Sequence, residues 1–242
     1  MFKILLLKYY NINNYLFVKN IFLIVLLFLF AYIFYIYNYI PDIKVCVCTI
    51  GKNENVYVRE FIEYYKNYGI DKIFLYDNNN IDGEMFDVVL NDYIETGYVK
   101  IINFRGKKKI QYSAFNHCYR ENNNLYNWLI FYDLDEFIHL TGYNNIKNFL
   151  GKNIFKKCNV VYLNQVMHTD NDQIYYNNKS LFERFPNFTT NFDRHIGLTK
   201  IILRGNLSNI KFGNPHIISN KYQCNSVGKL NNLSYKDFKN HI

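Results

Sequence analysis

Residues 127–140 read NWLIFYDLDEFIHL, and the change of character inside this stretch decides the fold. Trp128, Leu129, Ile130, Phe131 and Tyr132 form an unbroken apolar and aromatic run of the length of a buried strand. It breaks directly into Asp133-Leu134-Asp135-Glu136 and then turns apolar again at Phe137 and Ile138. Two aspartates at i and i+2 on an extended segment point the same way. Side by side they repel unless a cation lies between them. Hard carboxylate oxygens suit Mg²⁺ or Mn²⁺, ions that also coordinate diphosphate oxygens. The chemistry served by such a pair is displacement of a nucleoside diphosphate, with the metal neutralising charge on the leaving group.

The segments upstream place this strand in a sheet. Residues 45–50 (VCVCTI) have the composition of a buried parallel strand. Residues 54–68 carry Val58, Phe61, Ile62 and Tyr65 at i, i+3, i+4 and i+7, an amphipathic helix that Gly69 is placed to stop. A strand over 72–76 runs into Asp77-Asn78-Asn79-Asn80; a helix is expected over 85–94, a strand over 98–104 and a helix over 110–121. Strands alternating with helices imply an α/β, mostly parallel sheet with right-handed crossovers. Ligands in such sheets bind beyond the carboxyl ends of the strands, which gathers Thr49-Ile50, Asp77-Asn78 and residues 133–136 at one edge. After Leu140 the pattern loosens, with strands expected over 160–167 and 201–204. There is no internal repeat and no linker that separates a second domain.

Ahead of this region, residues 21–37 (IFLIVLLFLFAYIFYIY) carry no charge. Extended to Ile40, the segment comes to roughly 30 Å as a helix, the thickness of a bilayer core. The chain therefore divides into an N-terminal tail (1–19), a transmembrane anchor in the lipid bilayer (20–40) and a soluble domain (41–242). Tyr32, Tyr35, Tyr37 and Tyr39 make an interfacial belt, and Lys3, Lys8 and Lys19 favour a cytoplasmic N-terminus. In a eukaryotic host that is the single-pass type II arrangement of the ER and Golgi.

Half of the 242 residues are hydrophobic, enough for a sizeable core, and the formal charge is +8. The basic residues are scattered apart from Arg105-Gly106-Lys107-Lys108-Lys109, which reads as a solvated loop. With no zinc finger, RNA-recognition signature or long basic helix, nucleic acid is excluded as a partner. The five cysteines are an odd set. Cys46 and Cys48 read as small hydrophobes in a strand, and Cys118, Cys158 and Cys224 leave room for one disulfide whose partners the sequence does not fix.

Taken in order, several motifs resemble those of family 2-like and family 92 glycosyltransferases. Lys52-Asn53-Glu54, Glu60-Phe61-Ile62-Glu63-Tyr64, Gly69-Ile70 and Tyr76-Asp77-Asn78-Asn79 are similar to the family's opening. Gln111, Ala114, Asn116 and Cys118 fit its next helix, and Tyr132-Asp133-Leu134-Asp135-Glu136-Phe137 its metal motif. Glu183-Arg184-Phe185, Lys200-Ile201-Ile202-Leu203-Arg204-Gly205 and Asn214-Pro215-His216 follow, so the likeness runs from Val45 to His216.

The resemblance implies a Rossmann-like GT-A fold, a nucleotide-sugar donor (commonly UDP-linked), Mn²⁺ or Mg²⁺, a glycan or glycoconjugate acceptor, and inversion at the sugar. Carried over by position, Thr49, Glu54 and Asp77 contact the nucleoside, with Gln111 and Asn116 on the donor side. Asp133 lies near ribose and metal, Asp135 binds the metal, and His216 helps hold diphosphate or metal. Asp170 falls where the acceptor-activating base is kept, with Asp172 as its substitute. Glu183-Arg184 reads equally as a structural ion pair or an acceptor-site pair, and Lys200 and Arg204 as fixing their strand to a neighbouring loop, with contact to phosphate as the alternative. The rival reading is a non-catalytic, membrane-tethered sugar- or nucleotide-binding module on a degenerate scaffold. A nucleotidyltransferase would want a Gly-rich phosphate loop, which is absent.

Overall fold

A computed structural model describes residues 2–38, 42–170, 175, 177, 179–188, 199–213, 218, 222–226, 228 and 230–231. The chain divides into two units, Met1–Ile40 and Pro41–Ile242. The first is a single helix, α1 (Phe2–Asn38), continuous through the stretch ahead of the apolar run. Within it, Phe17–Tyr35 has a mean hydropathy of 2.5 and no buried residue. By length and composition this helix can cross a membrane, a test that a signal sequence also passes.

In the second unit β1 (Val45–Gly51), α2 (Asn55–Asn67), β2 (Lys72–Asp77), α3 (Phe86–Glu95), β3 (Val99–Asn103), α4 (Gln111–Asn122) and β4 (Trp128–Phe131) alternate as the sequence periods require. They are followed by α5 (Ile146–Leu150), β5 (Val160–Asn164), α6 (Leu181–Arg184), β6 (Thr199–Arg204), β7 (Gln223–Asn225) and β8 (Leu230–Asn231). The strands form one sheet in the order β3-β2-β1-β4-β6-β5-β7-β8. From β3 to β4 every pairing is parallel. At β6 the direction reverses: it runs antiparallel to both β4 and β5, while β5 pairs parallel with β7.

The sheet is therefore mixed, with four of its seven pairings parallel among the described residues, where the alternating pattern implied a mostly parallel one. Parallel neighbours need a crossover of a dozen residues, usually a helix. Between β5 and β6 the described helix is the four-residue α6, so nothing there demands the parallel direction. β5 ends at Asn164, short of the expected 167, with Asn164 paired to Thr199 of β6.

Both faces of the sheet are covered, which is why β1 is apolar throughout. Successive strand residues face opposite sides. Val45 and Val47 pack with Phe61, Ile62 and Tyr65 of α2 and Phe86 and Leu90 of α3. Cys46 and Cys48 face Ala114, Phe115 and Cys118 of α4. The buried residues of α2 are Val58, Phe61, Ile62 and Tyr65, the stripe the sequence spelled out. Gly69 ends the helix at φ +89°, where a side chain would be strained.

On the α4 face the reading of the cysteines needs correcting. Cys48 is no simple hydrophobe: it is bonded to Cys118 with Cα atoms 6.2 Å apart, tying β1 to α4. Cys158 is bonded to Cys224, tying the turn that leads into β5 to β7. Only Cys46 keeps a thiol, and it is buried. Alkylation of the denatured, unreduced chain should label one thiol, Cys46, and reduction should expose all five; mass spectrometry reads both states. Five labelled thiols before reduction would contradict these pairings.

Candidate active site

The carboxyl ends of β1, β2 and β4 open on one cleft of about 420 Å³, lined by Ile50, Gly51, Lys52, Glu54, Asn78, Ile110, Gln111, Asp133 and Asp135. Its floor is close-packed. A Cβ on Gly51 would collide with the Leu134 side chain and lie 2.9 Å from Phe86 and 3.0 Å from the Glu54 carboxylate. Glycine is thus required where β1 passes beneath the Asp-Leu-Asp segment. The segment is clamped from the other side by α2: Tyr65 donates its hydroxyl to the Glu136 carbonyl (2.9 Å) and accepts from Ile138 N (3.2 Å). Tyr64 donates to the Ile138 carbonyl at 2.6 Å.

Charge in the site is organised around one lysine. Lys200 of β6 is 5% exposed, and its ammonium lies 2.8 Å from both Asp133 Oδ2 and Glu136 Oε1. Gln111 of α4 donates to the other oxygen of Asp133 at 2.7 Å. Glu136 also accepts from Asp133 N (3.1 Å) and Gln165 Nε2 (3.1 Å). Burial pushes the Glu136 carboxyl up to about 7, against the pull of Lys200. Burial works against the Lys200 ammonium as well, but the Glu136 and Asp133 carboxylates outweigh it and raise its pKa. Burial raises the Glu54 carboxyl above its usual range, against the backbone hydrogen bond from Lys52, and the charges of Asp135, Asp133 and Glu84 add to the rise. Asp135 is exposed at the cleft.

Of the residues singled out in the sequence, Glu54, Gln111, Asp133 and Asp135 meet in this cleft. Thr49 lies beneath it, fully buried, with an Oγ1 that finds no partner among the described residues. Asn116 is elsewhere, clipping α4 to Phe212 through both its carboxamide groups. Asp77 faces a second cavity of about 540 Å³ along the edge strand β3 and does not line the cleft. Asp170 is exposed beyond β5, outside the cleft lining. Asp172 and His216 lie outside the described residues. Glu183 caps α6 through Ser180, while Arg184 donates to the Tyr57 hydroxyl at 3.1 Å. Arg204 does fix its strand, donating to the Cys158 and Phe155 carbonyls and stacking on Trp128 at 4.2 Å.

Glu136 and Asn78 were in view in the sequence but carried no role, and Lys52 stood only as part of a motif. Arg105 was read as part of a solvated loop, and that reading holds only for Lys107, Lys108 and Lys109, which are exposed. The Arg105 guanidinium pairs with Asp77 at 2.8 Å and donates to the carbonyls of Ile81, Gly83 and Glu84. Its fork satisfies a whole turn of backbone acceptors, which lysine could not do.

A sheet whose parallel strand ends gather carboxylates around one cleft defines an α/β protein with a ligand site of the enzyme type. The profile of glycosyltransferase family 92 matches residues 41–237, and the chain belongs to that family. A family 92 protein of rice (Oryza sativa subsp. japonica) is 33% identical over 107 residues, 44% of this chain and 18% of that protein. One of Ricinus communis is 32% identical over 102 residues, 42% and 18%. A galactan β-1,4-galactosyltransferase of Arabidopsis thaliana is 30% identical over 91 residues, 34% and 18%. The matches thus span 18% of the length of each of these relatives. A mannosyltransferase from Pyrobaculum calidifontis, solved with GDP-Man and Mn²⁺, overlaps 56% of this chain and 38% of its own at 13% identity and a TM-score of 0.39, too loosely to bear on fold or ligand.

The Asp77–Arg105 pair generates a direct test. Asp77 is buried and Arg105 largely so, at 8% and 15% side-chain exposure, so Arg105→Met leaves a buried carboxylate uncompensated and should cost about 3–5 kcal/mol in urea unfolding. A guanidinium solvated on a loop would cost less than about 0.5 kcal/mol.

Proposed function

We propose that the Pro41–Ile242 unit is a glycosyltransferase of GT-A type, moving a sugar from a nucleotide-sugar, UDP-linked, to a hydroxyl of a glycan or glycoconjugate. The observation that carries this reading is the cleft in which Glu54, Gln111, Asp133 and Asp135 converge at the strand ends of a family 92 chain. The galactan-directed relative makes a β-galactan chain the first acceptor to try.

A divalent ion fits the residues present. Among the described residues no group of three or more His, Cys, Asp or Glu side chains is placed to hold a metal. Mg²⁺ and its like, however, are bound through one or two carboxylates, with substrate phosphates and water completing the shell. Glu54, Asp133 and Asp135 line one cleft, a carboxylate set that a dication would bridge. Asp135, exposed at the cleft, would hold the ion with Asp133 beside it, and His216 as a further ligand. When bound, the ion neutralises charge on the departing diphosphate.

The chain's own residues do the rest. Lys200 and Gln111 fix Asp133 so that it meets the donor without reorganising. The acceptor oxygen attacks the anomeric carbon as a carboxylate takes its proton, the bond to the diphosphate oxygen breaks, and the sugar inverts. Asp170 is the proposed base and Asp172 its substitute.

α1 is the proposed single-pass anchor, with its N-terminus in the cytoplasm. The two disulfides support that orientation, because such bonds persist in oxidising compartments and are rare in the cytosol.

With the detergent-solubilised chain, excess chelator should abolish transfer and Mn²⁺ restore it. Asp135→Ala should lower turnover by several orders of magnitude with an unchanged circular dichroism spectrum, and the base variant among Asp170→Asn and Asp172→Asn by roughly 10²–10⁴-fold with nucleotide affinity retained. Full activity in chelator removes the metal assignment. Nucleotide binding without release of nucleoside diphosphate in any condition would favour the non-catalytic module.

A further inference from the structure

α2 holds more than the Asp133–Ile138 segment. Tyr57, Glu60 and Tyr64, at i, i+3 and i+7 on one side of the helix, also hold the chain around α6. Both carboxylate oxygens of Glu60 accept from Leu181 N, at 2.9 and 3.0 Å. Arg184, 4% exposed, reaches the Tyr57 hydroxyl. Phe182 lies against Tyr64 with ring centroids 5.7 Å apart, and edge-on to Phe137 at 5.0 Å. Phe137 directly follows Asp133-Leu134-Asp135-Glu136. The chain beyond β5 joins this group: His168 and Phe188 form an antiparallel bridge, and Thr169 N donates to the Asn187 carbonyl at 2.8 Å. The His168 ring lies 6.5 Å from Phe182 and 6.1 Å from Phe188. Phe182 and Phe188 are 45% and 54% exposed, and His168 is exposed with them. Clustered aromatic rings left open beside a site mark a surface that something covers.

Resting on the reading of the cleft as a transferase site, we propose that Phe182, His168 and Phe188 form a shelf on which a pyranose ring of the acceptor glycan stacks. A pyranose has two kinds of surface, with axial C–H bonds on its faces and hydroxyls on its rim. The negative face of an aromatic ring attracts those C–H bonds, and covering both surfaces releases water. His168 supplies a polar contact for the rim. A carbonyl only accepts, so the 2.6 Å bond to the Phe185 carbonyl puts the proton on Nδ1 and leaves Nε2 as an acceptor for a sugar hydroxyl. Aromatic faces around one oriented polar group suit a sugar; a lipid tail would leave that nitrogen dehydrated and unused. Position points the same way. Asp170, the proposed base, is two residues from His168, and Phe182 rests on the residue that follows the Asp133–Glu136 cluster. Shelf and cluster are both mounted on α2, so one rigid helix sets the span between them. The shelf binds and orients the acceptor and takes no part in the proton transfer.

The test uses the solubilised full chain in Mn²⁺, with UDP-hexoses as donors and a panel of pyranose oligosaccharides as acceptors, β-1,4-galactotetraose first. Phe182→Leu and Phe188→Ala should each raise acceptor KM roughly 3- to 10-fold, the range of one aromatic contact. The loss should fall on KM rather than kcat, because stacking holds ground state and transition state alike. Phe182→Tyr, which keeps a ring, should restore the wild-type KM. In saturation-transfer NMR, irradiating the protein's aromatic protons should light up the C–H protons on one face of the bound sugar, and Phe188→Ala should weaken that signal. UDP affinity, read by calorimetry, should match wild type in every variant. Wild-type acceptor KM in both Phe182→Leu and Phe188→Ala would overturn the shelf. So would a loss of UDP affinity in step with the rise in KM, which would make the rings structural, or variants changed only in their partition onto lipid vesicles, which would make them a membrane contact. Donor hydrolysis that no oligosaccharide alters overturns the shelf and leaves the transferase reading standing. A chain that turns over no UDP-hexose overturns that reading, and the shelf with it.

Discussion

A single buried ammonium joins the two halves of the sheet at the point where chemistry is expected. Lys200 belongs to the strand that reverses the sheet's direction, yet its charge is spent on Asp133 and Glu136, which follow the last parallel strand. Without it, two carboxylates three residues apart would face each other in a largely buried place, and one would have to protonate or turn away. With it, Asp133 is pinned between Lys200 and Gln111, and Glu136 between Lys200, Gln165 and the backbone. The order of the sheet follows the same need. β6 must lie against β4 for this lysine to reach, and the long excursion after β5 allows it to enter antiparallel.

The pinning divides labour between the aspartates. Asp133 has both oxygens engaged before any ligand arrives, and Asp135 stands exposed. A carboxylate already oriented by two donors costs no reorganisation when substrate binds, which is the form electrostatic preorganisation takes. Gly51 and Leu134 supply the close packing beneath, and the tyrosines of α2 hold the segment above. The cleft is built from residues that are rigid because the core is, not because the loops are short.

Much of this was legible in the sequence, for a reason. The run ending in Asp133-Leu134-Asp135, the stripe of Val58, Phe61, Ile62 and Tyr65, and the glycine at 69 all report local periodicity, which the sheet and helix preserve. Asp133 and Asp135 were found because strand ends must converge on one edge, and Glu54 and Gln111 because the family resemblance carried them over. What escaped was pairwise and distant. Strand direction leaves no mark on composition, so the reversal at β6 was invisible. Cys48 and Cys118 look like any buried cysteine until α4 lies on β1. Arg105 sits in a run of lysines that are exposed, and only the folded turn shows that its fork is consumed by Asp77 and three carbonyls.

The claim on which the rest stands is that this cleft holds a nucleoside diphosphate through a metal at Asp135. Crystals of the chain grown with UDP and Mn²⁺, examined by anomalous scattering at the manganese edge, test it directly. Expected is one strong anomalous peak in coordination distance of the Asp135 carboxylate, with the diphosphate against it in the cleft. A nucleotide seated instead in the cavity along β3, or manganese bound away from Asp135, would contradict it.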